Sequence, residues 1–144
     1  MKILIDLNVV LDVVQERHPH HADSARTLSR AREGEFIAVF ADHAVTTLYY
    51  VLRKWKDRAT AEQKVDWLLL NFEVGAADKA VLRAARSLRL PDFEDAVVAA
   101  IAEGNACDRI VTRNAADFAG SPVPAMTPAS FLALLDQRQR TAGS

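Results

Sequence analysis

The chain has 144 residues, half of them hydrophobic and about a quarter charged, with one cysteine and a formal net charge of −1. A chain of this size buries roughly 68–70% of its unfolded surface, enough for one core without disulfides or a structural metal. The near-neutral balance excludes bulk attraction to nucleic acid, so a polyanion must be met by local patches. The lone cysteine, Cys107, excludes an intrachain disulfide and points to a reducing compartment, with the thiol serving core packing.

In chain order, the apolar run Ile3-Leu4-Ile5 predicts a buried strand over 2–6, followed by a helix over 8–16. Asp6 and Asp12 interrupt the opening apolar run and only Lys2 precedes it, which fits neither a secretory leader nor a spanning helix, so a cytoplasmic protein without a membrane partner is expected. Arg17-His18-Pro19 breaks the chain before a second helix from His21 to Arg32, ended by Gly34. Phe36 to Phe40 reads as a second buried strand, and helices follow from Ala44 to Lys56 and from Ala61 to Leu70. Phe72-Glu73-Val74 is a short strand, and Ala77 to Leu88 is a helix with Val81, Leu82, Ala85 and Leu88 on one face. After Leu90-Pro91 a nearly all-apolar helix runs from Phe93 to Asn105, which must pack centrally and leave only its polar N-terminus to reach a cleft. Arg109 to Thr112 is the third major strand, and a helix from Phe131 to Gln137 follows Thr127-Pro128. Strands alternating with helices imply an α/β fold with a parallel sheet covered on both faces. One domain over 1–137 is expected, with Arg138 to Ser144 as a flexible tail.

Three acidic clusters stand at junctions of these elements. Asp6 ends the first strand, Asp92-Phe93-Glu94-Asp95 opens the apolar helix, and Thr112-Arg113-Asn114-Ala115-Ala116-Asp117 follows the third strand. Each has a plainer reading, since Asp6 and Asp92 suit helix N-caps and Asp95 can complete a capping box. In open α/β sheets, however, ligands sit outside the carboxyl ends of the strands, and the three clusters together look like a metal site. His18-Pro19-His20-His21 lacks a second pair at zinc-ligand spacing and reads as a surface loop. Neither a phosphate-binding Walker loop nor a dinucleotide glycine pattern is present, which excludes nucleotide-cofactor enzymes.

Taken together, four segments resemble the PIN domain family, the metal-dependent nuclease fold that includes VapC-like toxins. They are Ile3-Leu4-Ile5-Asp6-Leu7-Asn8-Val9-Val10-Leu11-Asp12, Thr47-Leu48-Tyr49-Tyr50-Val51-Leu52-Arg53-Lys54, Asp92-Phe93-Glu94-Asp95-Ala96, and Val111-Thr112-Arg113-Asn114 with Asp117-Phe118. The resemblance implies a three-layer α/β/α sandwich whose acidic residues bind Mg²⁺ or Mn²⁺ and hydrolyse RNA. Asp6 matches the first acidic residue of the family and Asp95 the later one at the start of a central helix. Asn8 and Thr112 match polar positions that orient ligands or water. Two departures are visible. Many members carry a glutamate in the helix after the second strand, where this chain has Thr47, and many have aspartate where it has Asn114, so the last acidic role falls to Asp117, with Glu94 in partial compensation. A PIN subgroup with a Tyr-Tyr helix and a Phe-Glu-Asp segment resembles this chain in both departures, which implies a variant site.

Mg²⁺ takes oxygen ligands and keeps several waters, so one or two direct carboxylates suffice. Carboxylates repel RNA unless cations lie nearby. Arg53, Lys54, Lys56 and Arg58, Arg26 and Arg30, and Arg113 are the candidates for phosphate contacts, and Tyr49 and Tyr50 are candidates for stacking on bases. The function expected is a metal-dependent endoribonuclease, the toxin of a toxin–antitoxin pair, with a cognate antitoxin and a homodimer as partners implied by the resemblance. The rival readings are a non-catalytic PIN-like binding module and a phosphotransfer enzyme using Asp6 as nucleophile.

Overall fold

The computed structural model describes residues 1–143, so Ser144 of the expected tail lies outside the described residues. Five strands, β1 (Lys2–Ile5), β2 (Ile37–Ala41), β3 (Glu73–Gly75), β4 (Arg109–Val111) and β5 (Ala125–Met126), form one parallel sheet in the order β3-β2-β1-β4-β5. β1 lies at the centre, with Leu4 opposite Val39 on one side and Ile110 on the other. The chain therefore winds one way from β1 through β2 to β3 and the other way through β4 to β5. The crevice between β1 and β4 is the switch point of such a sheet, where ligands bind beyond the carboxyl ends of the strands.

Side chains alternate across each strand, and the alternation sorts the core into two layers. Ile3, Ile5, Ala38, Phe40 and Val111 face one side, packed by α1 (Leu7–Val14), α2 (His21–Arg32), α3 (Asp42–Trp55), α4 (Arg58–Asn71) and α7 (Pro128–Ala142). Leu4, Val39, Ala41 and Ile110 face the other, packed by α5 (Lys79–Leu88) and α6 (Phe93–Gly104). Residues Ala96 to Ala102 of α6 are all buried, as an all-apolar helix requires. The small side chains of α6 let it lie close to the sheet, and Gly75 completes the fit. A Cβ there would meet Ile101 Cγ2 at 2.7 Å and Asn105 Nδ2 at 2.8 Å, so β3 must end in glycine. The three-layer α/β/α sandwich is the architecture expected from the sequence.

Several boundaries differ from the sequence reading for identifiable reasons. α4 begins at Arg58 because Asp57 caps it, accepting the Thr60 N–H at 2.7 Å, so the helix starts before its first buried residue, Ala61. α7 starts at Pro128 under the Thr127 cap and continues beyond Gln137 to Ala142. The polar composition of 138–142 reads as a fraying tail, but Gln139 reaches back to hydrogen-bond Glu35, which supports the extra turn. β5 and the 3₁₀ turn Ala115–Phe118 were not expected, being too short for any periodicity to register. None of the described helices is long and apolar enough to cross a membrane.

Candidate active site

Asp6 is the first residue past β1, and its backbone N–H still bonds to Val111 O at 2.9 Å, which fixes it beside the end of β4. Its Oδ1 accepts the Leu7 N–H at 2.8 Å, the N-cap contact of α1. Its Oδ2 accepts the Thr112 hydroxyl at 2.8 Å and lies 3.4 Å from Asn8 Nδ2. Asn8 also donates to Thr112 Oγ1 at 3.3 Å, and the Asn114 N–H donates to that same oxygen at 3.1 Å. Thus the cap reading of Asp6 holds on one oxygen, while the other anchors a polar cluster with Thr112 and Asn8. Burial pushes the Asp6 carboxyl above its ordinary value, against the opposing effects of the Thr112 and Leu7 hydrogen bonds.

Asp95 lies one turn into α6, where its backbone N–H donates to the cap Asp92 Oδ1 at 2.9 Å, so that the cap contact does not occupy its carboxylate. Its pKa is raised to about 6, first by burial and then by the charges of Asp92, Asp6, Asp117 and Glu94. That list of neighbours assembles the three acidic clusters of the sequence in one place. Asp117, in the 3₁₀ turn, is exposed and contributes to this field, whereas Asn114 offers its backbone N–H to Thr112.

Residues that the sequence reading passed over complete the surroundings. Asp42 and His43 directly follow β2, and in a parallel sheet every residue just past a strand end shares one edge, a signal already visible in the sequence. His43 stands between two carboxylates, with Nδ1 3.8 Å from Asp42 Oδ1 and Nε2 3.7 Å from Glu94 Oε1. An open cleft of about 650 Å³ adjoins them, lined in part by Thr46, Thr47 and Phe93, so Thr47 faces the same cleft as Glu94. Asp42 also secures the loop before α5 by accepting the Ala77 N–H at 3.1 Å.

The basic candidates are placed less uniformly. Arg53 and Lys54 are exposed in the last turn of α3, roughly 15 Å along the helix axis from His43 at about 1.5 Å per residue. Arg30 is not available to a phosphate, because it is 5% exposed and bound by Glu35 and Asp136, each at 2.7 Å. Arg58 pairs with Glu62 at 2.9 Å, and Lys56 lies over the Trp55 ring. Arg113 is turned inward to Asp12, with Nε 2.9 Å from Oδ2. Tyr50 is well exposed and Tyr49 half-buried.

The donor set fits a hard divalent cation held in an open site. Asp6 and Asp95 supply carboxylate oxygens in a field of excess negative charge, while among the described residues no three His, Cys, Asp or Glu side chains close on a common point as a caged metal would need. The same field has a consequence for stability. Asp6 and Asp95 both hold their protons more tightly in the folded chain than in the unfolded one; the stability Asp95 contributes is present below the ordinary carboxylate value of 3.8 and lost as pH rises through about 6, and Asp6 acts in the same direction. In EDTA, Asp95→Asn is expected to melt at the parent's temperature near the acid end of this window and above it near neutrality. Thermal melts across the window measure this, and a gap independent of pH would show that Asp95 is not under charge stress.

The structure is a parallel α/β sheet with Asp6 at its switch point, and with Asp92, Glu94 and Asp117 adding to the negative field around Asp95. The chain belongs to the PIN domain family, whose model, described as PIN domain, matches residues 2–116. It is 25% identical over 134 residues to Ribonuclease VapC1 of Aquifex aeolicus (strain VF5), covering 90% of this chain and 92% of that protein. Among solved structures it resembles VapBC2 from Rickettsia felis bound to a DNA fragment from its promoter, with a TM-score of 0.70 and 17% identity over 88% of this chain and 98% of the other. It also resembles Mycobacterium tuberculosis VapC20, a Sarcin-Ricin loop cleaving toxin, with a TM-score of 0.62 and 13% identity over 75% and 86% of the two chains. These structural likenesses establish the fold.

Proposed function

We propose that the chain is a PIN-type endoribonuclease that hydrolyses RNA phosphodiesters with Mg²⁺ or Mn²⁺ and acts as the toxin of a toxin–antitoxin pair in the cytoplasm. The observation that carries this reading is that the charges of Asp6, Asp117 and Glu94 act on Asp95, adding to the burial that chiefly raises it to about 6. Asp6 and Asp95 would hold the cation, with Asp117 as the third carboxylate in place of Asn114, which carries no charge at any pH. When bound, such an ion lowers the pKa of an attacking water and offsets charge on the phosphate. Thr112 and Asn8 fix the Asp6 carboxylate by donating to it, which sets the direction in which its remaining lone pairs point. Exposed Arg53 and Lys54 are placed to meet phosphates well away from the scissile one. The names of the relatives, a VapC ribonuclease and a VapBC complex, support the toxin role and an antitoxin partner, while a homodimer is proposed from the family resemblance alone.

A phosphotransfer enzyme with Asp6 as nucleophile is disfavoured, because Leu7-Asn8 offers no second aspartate close by to act as acid or base. The test is cleavage of RNA by the purified chain in Mg²⁺, Mn²⁺ and EDTA, together with growth on inducing it alone. Metal-dependent endonucleolytic products and growth arrest are expected. Intact RNA in both metals, with no metal-induced rise in melting temperature, would assign the chain to the non-catalytic binding modules.

A further inference from the structure

Asp12 is the most deeply buried charged side chain that the proposed chemistry does not use. It lies on α1 with 0% exposure, takes the Ser24 hydroxyl of α2 at 3.0 Å on Oδ2, and leaves Oδ1 without a hydrogen-bond partner. Its counter-ion is Arg113, whose Nε approaches Oδ2 to 2.9 Å without the alignment of a hydrogen bond. Arg113 sits in the loop that carries the rest of the site, directly after Thr112 and directly before Asn114. We propose that the Asp12–Arg113 pair is a positioning device, a latch that holds the Thr112–Asp117 loop against α1 so that Thr112 meets Asp6. This inference rests on the nuclease reading above only for its kinetic consequence.

The geometry supports the latch in three ways. First, α1 grips Arg113 at two points. Asn8 and Asp12 are four residues apart and so share a helix face; Asn8 Oδ1 accepts the Arg113 backbone N–H at 3.3 Å while Asp12 takes the guanidinium. Because Asp6 caps the same helix, the loop is referenced to the same rigid body as the first carboxylate of the site. Second, the loop's other restraints sit toward its two ends. The buried Thr112 bonds Met126 O through its N–H at 3.0 Å and Asp6 through its hydroxyl, and buried Phe118 closes the 3₁₀ turn, so Arg113 ties the span between them to α1. Third, the energetics favour geometry over stability as the role of the pair. A buried ion pair contributes little more than apolar side chains of similar volume, since desolvation opposes the attraction, yet removing one partner strands a charge. A planar guanidinium on a buried carboxylate instead defines one orientation, which an ammonium on a flexible stem would not. The charge of Arg113 is thereby spent inside the protein, and its part in RNA binding is replaced by a part in shaping the site.

The test uses Arg113→Lys, Asp12→Asn and the apolar double variant Asp12→Leu/Arg113→Met, each confirmed folded by circular dichroism. RNA cleavage is followed at saturating Mg²⁺ over a range of salt concentrations. The latch predicts that kcat falls about 10–100-fold in both single variants, the usual effect of removing a group that orients a metal ligand, while KM and its salt dependence stay at the parent's values. The double variant recovers the melting temperature but not kcat. A rise in KM with a salt slope reduced by about 1 would make Arg113 a phosphate contact, and recovery of kcat in the double variant would reduce the pair to packing; either overturns the proposal. Amide hydrogen exchange gives a readout free of activity. Faster exchange in Arg113→Lys confined to residues 112–117 supports the latch even if the parent cleaves no RNA, a failure that would touch the nuclease reading alone. Unchanged exchange there refutes the latch.

Discussion

Asp6→Asn and Asp95→Asn are each expected to lower RNA hydrolysis by at least about 10²-fold while leaving the fold intact. Even groups that merely orient a metal ligand cost about 10–100-fold when removed, so loss of a carboxylate proposed to bind the ion directly sets a higher floor. Asparagine keeps the shape of the side chain, and its single oxygen can accept the Leu7 N–H that starts α1, while its amide nitrogen takes the place of the oxygen that accepted from Thr112. At Asp95 the cap contact is made by its backbone N–H, which the substitution does not touch. Cleavage assays beside circular dichroism spectra measure both halves of the expectation. Hydrolysis at the parent's rate in both folded variants would place the chemistry elsewhere.

Phe40→Ala is expected to cost about 3–5 kcal/mol, the range for truncating a fully buried aromatic side chain. Phe40 is 0% exposed on β2, and its ring meets Phe72 edge-on with centroids 5.3 Å apart; Phe72 in turn meets Trp67 of α4 at the same spacing. No small movement closes the space, because β2 is clamped between β1 and β3 and the α3–α4 hairpin rests on this stack. At about 2–4 °C per kcal/mol for a domain of this size, the melting temperature should fall by roughly 6–20 °C. Denaturant melts with an unchanged slope would attribute the loss to the folded state, and a change under about 1 kcal/mol would mean that the layer repacks.

Much of this arrangement was legible in the sequence because apolar periodicity and burial are the same fact seen twice. Ile3-Leu4-Ile5 and Ile110-Val111 read as strands since both faces of a parallel strand are covered, and the run from Ala96 to Ala102 read as a central helix for the same reason. Asp6, Asp95 and Thr112 stand out in the sequence because each borders such a run. What escaped was information carried by pairing across the chain. Asp42-His43 follows a strand just as Asp6 does, but fell between the strand expected to Phe40 and the helix expected from Ala44 and was given no role. Arg113 looked like a cation available to RNA, because nothing local in the sequence announces that Asp12, about a hundred residues earlier, waits beneath it. Arg30 misled in the same way, since its partner Asp136 lies on the last helix.

The hydrogen bond from Thr112 to Asp6 joins residues 106 positions apart, across the β1–β4 crevice. During synthesis from the amino terminus, Asp6 emerges at once and β1 can pair with β2 early, yet its other flank stays open until β4 and the loop beyond it have left the ribosome. The acidic centre is thus completed late, with only β5 and α7 still to follow. A nascent or prematurely terminated fragment holds Asp6, and even Asp95, without the strand that aligns them. For a protein whose proposed substrate is RNA, this order of assembly withholds cutting power from the chain while it is still attached to the machinery that makes it.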